Sequence, residues 1–373
     1  MSLAIEVVHQ STRFENLRTE WSSLLRESTS DSVFLTWEWL HSWWTHLRSK
    51  GRLYIVLVWS DETLVAIAPL MATRRPVMEM HPFPVLEFMG SGVAGSDYLD
   101  FIVRRNWEEP VFQALRRFFV ETRLTLQLER LRRHSSRVQD FTIVLASHAW
   151  TIREENLWIC PYIDISGHSW QSYLSGLGSM HRYNFNRRLK GLSKNFELRF
   201  ECATTESTRA NFLADLISLH RDRRSRLGGS NAFENAALVA FHETFSRLAF
   251  EQGWLRLFVM SLDGHASAAL YGFSYNQKFY FYQSGFDGAY SKHSVGLVTM
   301  GLAIRSAIEE GLGEYDMLEG AEPYKSHWAP NVRELTQITA YPPGMTGSAL
   351  NRMSEFRAAA RKAVRRTLAL SRH

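Results

Sequence analysis

Apolar and polar residues alternate from Leu3 to His9, the period of a half-buried strand. The period then lengthens. Phe14, Leu17, Trp21, Leu24 and Leu25 fall on one face of a helix over 14–26. A second helix is predicted over Phe34–Leu47, FLTWEWLHSWWTHL, where Trp37, Leu40, Trp44 and Leu47 share a face. An aromatic stripe at that spacing reads as core. Leu53–Trp59 and Leu64–Met71 form a hairpin across Ser60-Asp61-Glu62. Pro76, Pro82 and Pro84 mark a loop, Val85–Met89 a short strand, and Ser96–Phe101 another strand after the glycine loop Gly90–Gly95. Trp107–Glu121 reads as a helix and Leu124–Leu128 as a strand.

Trp150–Arg153 and Trp158–Ile163 are two short strands, and between about 150 and 168 the chain passes from one unit to the next. Helices follow over Ser169–Leu177 and the basic Met180–Leu192, then a strand over Phe196–Cys202. Helices over Phe212–Arg224, closed by Gly228-Gly229, and over Phe233–Gln252 come next. Three strands then form a meander, Trp254–Leu262, Ala266–Tyr275 and Lys278–Ser284, joined at Asp263-Gly264 and Asn276-Gln277. The third strand carries the aromatic run Phe279–Tyr282 and is broken by Gly285 and Gly288. Ser294-Val295-Gly296 lead into a helix with Leu297, Met300, Ile304 and Ile308 at helical spacing, and Gly311 and Gly313 stop it. Strands at Tyr315–Leu318 and Val332–Tyr341 close the pattern.

The chemistry lies between the third meander strand and the following helix. A turn that feeds a helix N-terminus presents unpaired N–H groups and the positive end of the helix dipole, a setting for a diphosphate. Lys292 and His293 add side-chain donors. The same local pattern also fits an ordinary strand–turn–helix connection.

The residues Gly285-Phe286-Asp287, Tyr290–Gly296, Tyr315-Asp316, Gly320–Lys325 and Trp328 together resemble the GNAT superfamily of N-acyltransferases. Within it they resemble the bacterial branch labelled cellulose-biosynthesis-associated acetyltransferases, related to Fem-type peptidoglycan aminoacyltransferases. The resemblance covers about 160–340 well and the N-terminal half loosely. It implies an α/β tandem GNAT-like fold of mixed, mostly antiparallel sheets flanked by helices, with the second half complete and the first degenerate. The corresponding segments are 1–155, 156–345 and a basic amphipathic helix at 346–373. It also implies acyl-CoA, acetyl-CoA foremost, as co-substrate, with no metal. The loop Tyr290–Gly296 occupies the place of the family's diphosphate loop, with Gly296 as its one glycine. Lys292, His293, Ser294, Val295 and Gly296 would hold the diphosphate, and backbone N–H groups near Tyr282 and Gln283 would polarise the acyl carbonyl. His220 and Glu319 are candidate bases, Tyr324 the acid for the thiolate, and Lys325 a group that binds an acidic substrate or holds the loop. For each there is a structural alternative: His220 as a capping side chain, Glu319 and Lys325 as an ion pair.

Composition narrows the picture. The chain has 373 residues, 45% hydrophobic and 22% charged, enough for a large core or two domains. A net charge of +5 does not by itself imply nucleic acid. Cys160 and Cys202 form no metal spacing or disulfide framework, which fits a reducing compartment. No signal peptide or membrane-spanning run is evident, so a cytoplasmic protein is expected. The arginines at 130, 132, 133 and 137 read as a solvated basic surface. The tail has seven basic residues and one acid over 349–373. Its helix can pack on its own domain or lie on an anionic membrane surface, peripheral to the inner membrane.

Three functions fit. The first is N-acylation of a small-molecule, sugar or lipid amine from acyl-CoA, in envelope polysaccharide or lipid biosynthesis. The second is Fem-like transfer from aminoacyl-tRNA, which favours a larger basic groove and a coiled-coil arm, although no heptads stand in mid-chain. The third is a non-catalytic accessory role in an exopolysaccharide system.

Overall fold

The computed structural model of the protein describes residues 3–353 and 355, apart from 49, 78–79, 228–232, 234 and 346. The first half runs β1 (Leu3–Val8), α1 (Ser11–Glu15), α2 (Arg18–Arg26), α3 (Trp37–Leu47), β2 (Arg52–Leu53), β3 (Ile55–Ser60), β4 (Thr63–Ala68), β5 (Leu70–Val77), β6 (Met80–Phe88), β7 (Ile102–Val103), α4 (Glu108–Thr122), β8 (Thr125–Arg132), α5 (Arg137–Ala146) and β9 (Thr151–Asp164). The second runs α6 (Trp170–Gly176), α7 (Ser179–Asn195), β10 (Leu198–Cys202), α8 (Glu206–Leu227), α9 (Ala236–Glu251), β11 (Leu255–Leu262), β12 (His265–Tyr275), β13 (Lys278–Phe286), α10 (Val295–Glu309), β14 (Glu314–Asp316), α11 (Pro323–Ser326) and β15 (Asn331–Tyr341).

Each half contains one parallel strand pair with a helix crossing between its strands. In the second half β13 pairs with β14, and α10 makes the crossover. In the first half β6 pairs with β8 across α4. All other strand pairs are antiparallel among the described residues. The halves then complete each other's sheets. Strand β9, which ends the first half, joins β14; β15, which ends the second, joins β8; and β9 and β15 pair together at the centre. The result is an eleven-stranded mixed sheet beside the four-stranded sheet β1-β3-β4-β7. This is the expected α/β architecture of two like halves.

The halves differ where it matters for anion binding. The first turn of α4 carries Glu108 and Glu109, which oppose an anion at that N-terminus. The first turn of α10 carries no acidic residue. The second half is therefore the complete one, and the first keeps the strand order without the site.

Helix α3 joins the halves. Trp39 is fully buried, stands edge-on to Phe241 and Phe245 of α9 at 5.0 and 4.7 Å, and donates its indole N–H to Ser96 Oγ at 2.8 Å. The tryptophan stripe is core, as its spacing predicts, and that core is shared between the halves.

Several local expectations change. Pro76, Pro82 and Pro84 lie within β5 and β6, not in a loop. Strand β6 meets β8 only at Val85 and Leu86, so before that point it has an unpaired edge where a missing N–H costs nothing. The short strands expected at 150–153 and 158–163 are one strand, β9. Residues 96–101 are irregular, because Asp97 and Asp100 turn inward to take hydrogen bonds and Tyr98 adopts φ +58°. Helix 14–26 is split into α1 and α2, and α5 occupies part of the stretch read as a basic surface. Gly228-Gly229 and the tail beyond residue 355 lie outside the described residues.

Helix α10 packs closely on α7 at Gly301, where an added Cβ would overlap the Phe185 ring. Phe185 itself is buried against Trp170 and Trp328. Gly301→Ala is therefore expected to destabilise the protein by about 1–3 kcal/mol through overpacking, read as a lower melting temperature. An unchanged melting temperature would show that Phe185 has room to move.

Candidate functional site

Strands β13 and β14 are paired only from Lys278 to Tyr280 and from Glu314 to Asp316. Beyond that β13 continues to Phe286, while the chain after Asp316 turns away. The two strands form a wedge that opens toward the N-terminus of α10. Tyr271 of β12 pairs with Gln283, but the next residue, Gly272, pairs with Phe281. Tyr282 is thus the extra residue of a β-bulge at the wedge, which removes it from the one-to-one ladder. Its ring is held in place, because the hydroxyl donates to Ala94 O at 2.6 Å and lies 3.4 Å from His242 Nε2. The glycine loop of the first half therefore touches the bulge of the second.

A cleft of about 350 Å³ fills the open end of the wedge. Ser284 and Phe286 of β13, Val295, Gly296, Leu297 and Met300 of α10, and Trp328 give it a largely apolar wall. His181 of α7, Tyr324 and His327 complete it. Ser294 takes the left-handed conformation at φ +56° before α10, and its side chain makes no cap. The N–H groups of Val295 and Gly296, in the first turn, precede the first intrahelical bonds and so face the cleft without a helical acceptor. An apolar channel ending at an uncapped helix N-terminus suits an elongated ligand with a negative group at one end.

The expected loop residues divide. Ser294, Val295 and Gly296 line the cleft; Lys292 and His293 do not. Lys292 is exposed, and its carbonyl accepts from Arg188 of α7 at 2.6 Å. His293 stands edge-on to Phe196 at 5.1 Å. Both tie the loop to α7.

The expected catalytic residues divide too. Tyr324 lines the cleft and is 37% exposed, so its hydroxyl is accessible to a ligand. Lys325 is buried under the same loop. It donates to Glu319 O at 2.7 Å and Leu318 O at 3.3 Å, and pairs with Glu322 at 3.2 Å. Lys325 meets Glu319 through the backbone carbonyl, and it holds the loop. The Glu319 carboxylate faces the first half, 3.8 Å from Arg130. His220 is buried on α8, edge-on to Phe233 at 5.2 Å. Helix α8 reaches β13 at Gly285, where an added Cβ would come within 2.7 Å of the His220 N atom. Ser284 and Phe286 face the cleft, so Gly285 and His220 lie on the opposite face of the sheet. Tyr324 and His220 thus flank the wedge from its two sides.

Residues 179–326 match the family model described as an acetyltransferase (GNAT) domain. The fold agrees over nearly the whole chain. FemX, at 9% identity, aligns over 95% of this chain and 99% of its own with a TM-score of 0.62. The C-terminal domain of a putative lysylphosphatidylglycerol synthetase from Agrobacterium fabrum, at 10% identity, aligns over 92% and 95% with a TM-score of 0.55. The L-PGS structure from Bacillus licheniformis, at 11% identity, aligns over 90% and 95% with a TM-score of 0.51. No protein of curated function matches the sequence. The chain shares the fold of these structures over nearly its whole length, and the wedge, bulge and cleft lie in the half that carries the GNAT domain match.

Sequence reasoning missed three groups at the site. His181 and His327 stack at 5.4 Å in the cleft wall, His181 stands edge-on to Trp328 at 4.4 Å, and the His181 Nε2 atom is buried without a partner. Burial, then the neighbouring His327, hold His181 below the usual histidine range. His242 of α9 is fully buried behind Tyr282; burial drives it down to about 3, so it is neutral at physiological pH. A lone histidine in a helix pattern gives no sign of either environment. Asp97 is the third. It is 1% exposed and accepts the Glu319 N–H at 2.8 Å and Arg130 at 3.2 Å. The Cys160 thiol lies 3.7 Å away. Arg130 also stacks on Trp158 at 4.2 Å and reaches Glu319 of the second half at 3.8 Å, so it bridges the halves instead of lying in a solvated patch.

Burial pushes Asp97 up to about 6, against the pull of Arg130. The folded state therefore holds the Asp97 proton more tightly than the unfolded state, whose carboxyl titrates near 3.8. The stability this contributes is complete below about pH 4 and is lost as pH rises through about 6, an effect of about 3 kcal/mol. The Asp97→Asn variant is expected to lose that part of the pH slope in urea unfolding between pH 4 and 7. An identical slope would mean that Asp97 does not titrate there.

Proposed function

We propose that the protein is an acyl-CoA-dependent N-acyltransferase that moves an acyl group, acetyl first among candidates, from a CoA thioester to an amine. The observation that carries this reading is the apolar cleft between the splayed strands, which ends at the uncapped N-terminus of α10 and runs along β13 as far as Ser284, two residues beyond the bulge at Tyr282; Tyr282 and Gln283 do not themselves line it.

In this reading the CoA diphosphate rests on the N–H groups of Val295 and Gly296, with Ser294 beside it. The pantetheine arm lies along Phe286, Leu297, Met300 and Trp328. Its thioester reaches the bulge, where backbone N–H groups at Tyr282 and Gln283 polarise the carbonyl oxygen. The acceptor enters from the other face, bounded by the first half's glycine loop, His220 and Glu319. The amine nitrogen attacks the carbonyl carbon and loses its proton to His220 or Glu319, directly or through water. The C–S bond breaks, and Tyr324 protonates the leaving thiolate. Asp97 and Lys325 hold the loop that carries Glu319 and Tyr324. The acceptor class is an amino sugar, a lipid amine or a small metabolite amine, within envelope polysaccharide or lipid biosynthesis.

The test is thiol release from acyl-CoAs of increasing chain length with a panel of such amines, together with mass spectrometry of copurified ligand. Amine-dependent thiol release supports the reading; absence of both CoA binding and release overturns it. One observation favours transfer from aminoacyl-tRNA as a second reading. Helix α7, whose His181 lines the cleft, presents Arg182, Arg187 and Lys190 around an open depression of about 530 Å³. That surface also suits the CoA 3′-phosphate. Acyl transfer from charged tRNA without thiol release would select the second reading.

A further inference from the structure

We infer that the protein has a second small-ligand site, a donor-rich polar cavity between the halves that takes a small anion, a carboxylate or a phosphate monoester. The cavity lies at the closed end of the β13/β14 wedge and has a volume of about 230 Å³. Residues 29–32 and 98–100 of the first half, Arg132 and Arg137, and Lys278, Tyr280, Asp316 and Arg333 form its wall. It is smaller than the ~300 Å³ at which pockets for drug-sized ligands begin, so its occupant is small.

The choice of an anion follows from which polar groups are already engaged. The cavity wall holds three carboxylates, and all of them are satisfied. Asp100 accepts from Ser30 at 2.8 Å, Ser136 at 3.0 Å, and the N–H groups of Arg137 and Val138 at 2.7 and 3.0 Å. Asp316 accepts from Tyr98 OH at 2.7 Å, the Leu318 N–H at 2.8 Å and Arg333 at 3.1 Å. Asp31 accepts from Tyr275 OH at 2.6 Å and Asn276 at 3.2 Å. Two of the four cations are engaged as well: Arg333 with Glu314 and Asp316, and Arg137 with Asp140 at 3.0 Å and Glu108 at 3.8 Å.

The groups left over are donors. The Arg132 side chain makes no ion pair or hydrogen bond among the described residues, and the residue is exposed. Lys278 has only Glu314, at 3.4 Å. The Tyr280 hydroxyl has no hydrogen-bond partner although the residue is 2% exposed, and Ser32 Oγ is buried without one. A buried hydroxyl without a partner carries a desolvation cost that an acceptor in the cavity removes. One unpaired arginine, a lysine with a single long ion pair and two hydroxyls without partners around a small cavity call for an acceptor-rich, negatively charged ligand.

This site is separate from acyl transfer. Tyr280 faces the cavity and Ser284 faces the cleft, and four residues of strand place them ~13 Å apart. A small ligand at Tyr280 cannot reach the bulge chemistry. It would instead bridge residues 29–32 of the first half and β13 of the second, and so stabilise their junction.

The test is isothermal titration calorimetry of the full chain with inorganic phosphate and with malonate, in separate arms at constant ionic strength. At least one probe is expected to bind saturably with one-to-one stoichiometry, and the arm that binds distinguishes phosphate from carboxylate. The double variant Arg132→Gln/Tyr280→Phe, shown to be folded by circular dichroism, is expected to lose about tenfold or more in affinity, since it removes a charged donor and a hydroxyl. Because the N-terminus of α10 is itself an anion site in the proposed function, the titrations are repeated in the Gly296→Glu background, where one saturable site that the double substitution weakens is expected to remain. No saturable binding of either probe, or equal affinity in the double variant, overturns the proposal.

Discussion

Gly296→Glu is expected to lower acyl-CoA affinity by about 100-fold or more while the protein remains folded. The N-terminus of α10 is the strongest local feature for an anion, with unpaired N–H groups, no acid in its first turn and no side-chain cap. A glutamate at Gly296 sets a negative charge where the diphosphate would lie. It also competes for the same N–H groups. The backbone tolerates a side chain there: an added Cβ meets only Phe286, at 3.4 Å or more. Gly296 is helical with negative φ, so no left-handed conformation is lost. Gly296→Ala is thus the control, expected to bind within a fewfold of wild type. The measurement is direct titration with CoA and acetyl-CoA. Unchanged affinity in a folded Gly296→Glu protein would remove the diphosphate from this helix, and the acyl-CoA reading with it.

The other large effect is expected in turnover. Replacing the true general base should lower the rate by about 10²–10⁴-fold and leave acyl-CoA affinity nearly intact. Glu319→Gln and His220→Ala place this loss on one of two residues that approach the wedge from the acceptor side. Glu319 is 43% exposed and meets Arg130 only at 3.8 Å, so the carboxylate is accessible to an amine or its water. His220 is buried beside Phe233 at the point where α8 reaches Gly285. His220→Ala therefore needs a melting curve beside its kinetics, because it also empties core volume. Tyr324→Phe tests the acid. It should slow C–S cleavage most for acyl groups with good acceptors and leave CoA binding unaltered. If Glu319→Gln and His220→Ala both keep full turnover, neither is the base, and a water or another residue takes the proton.

Parts of the site were legible in the chain. Gly285, Gly288 and the Ser294-Val295-Gly296 entry into a helix marked the diphosphate end, because local backbone chemistry is written in glycine, serine and helical spacing. Tyr324 was legible through the Glu322-Pro323-Tyr324-Lys325 run. Lys292 and His293 misled in part. A basic residue beside an anion site suggests a donor, but only the position of α7 shows that Arg188 and Phe196 engage this loop from outside. Lys325 was legible as a charged residue near the cleft. Its burial beneath three acceptors was not, since they come from a loop folded back on itself.

By itself the sequence determined the order of elements in the second half, the core tryptophans of α3 and the helix N-terminus at Gly296. Each rests on periodicity or turn chemistry within a few residues, where the covalent chain already brings the partners together. Only the tertiary structure decided the rest. It placed β9 and β15 side by side in one sheet, each completing the half to which the other belongs. It turned Asp97 away from a strand and into the junction, 222 residues from the Glu319 N–H that it accepts. It set Ala94 against the Tyr282 bulge and isolated the polar cavity at Tyr280. These pairings join residues far apart in the chain, and a buried polar group finds its partner only when the whole core closes around it.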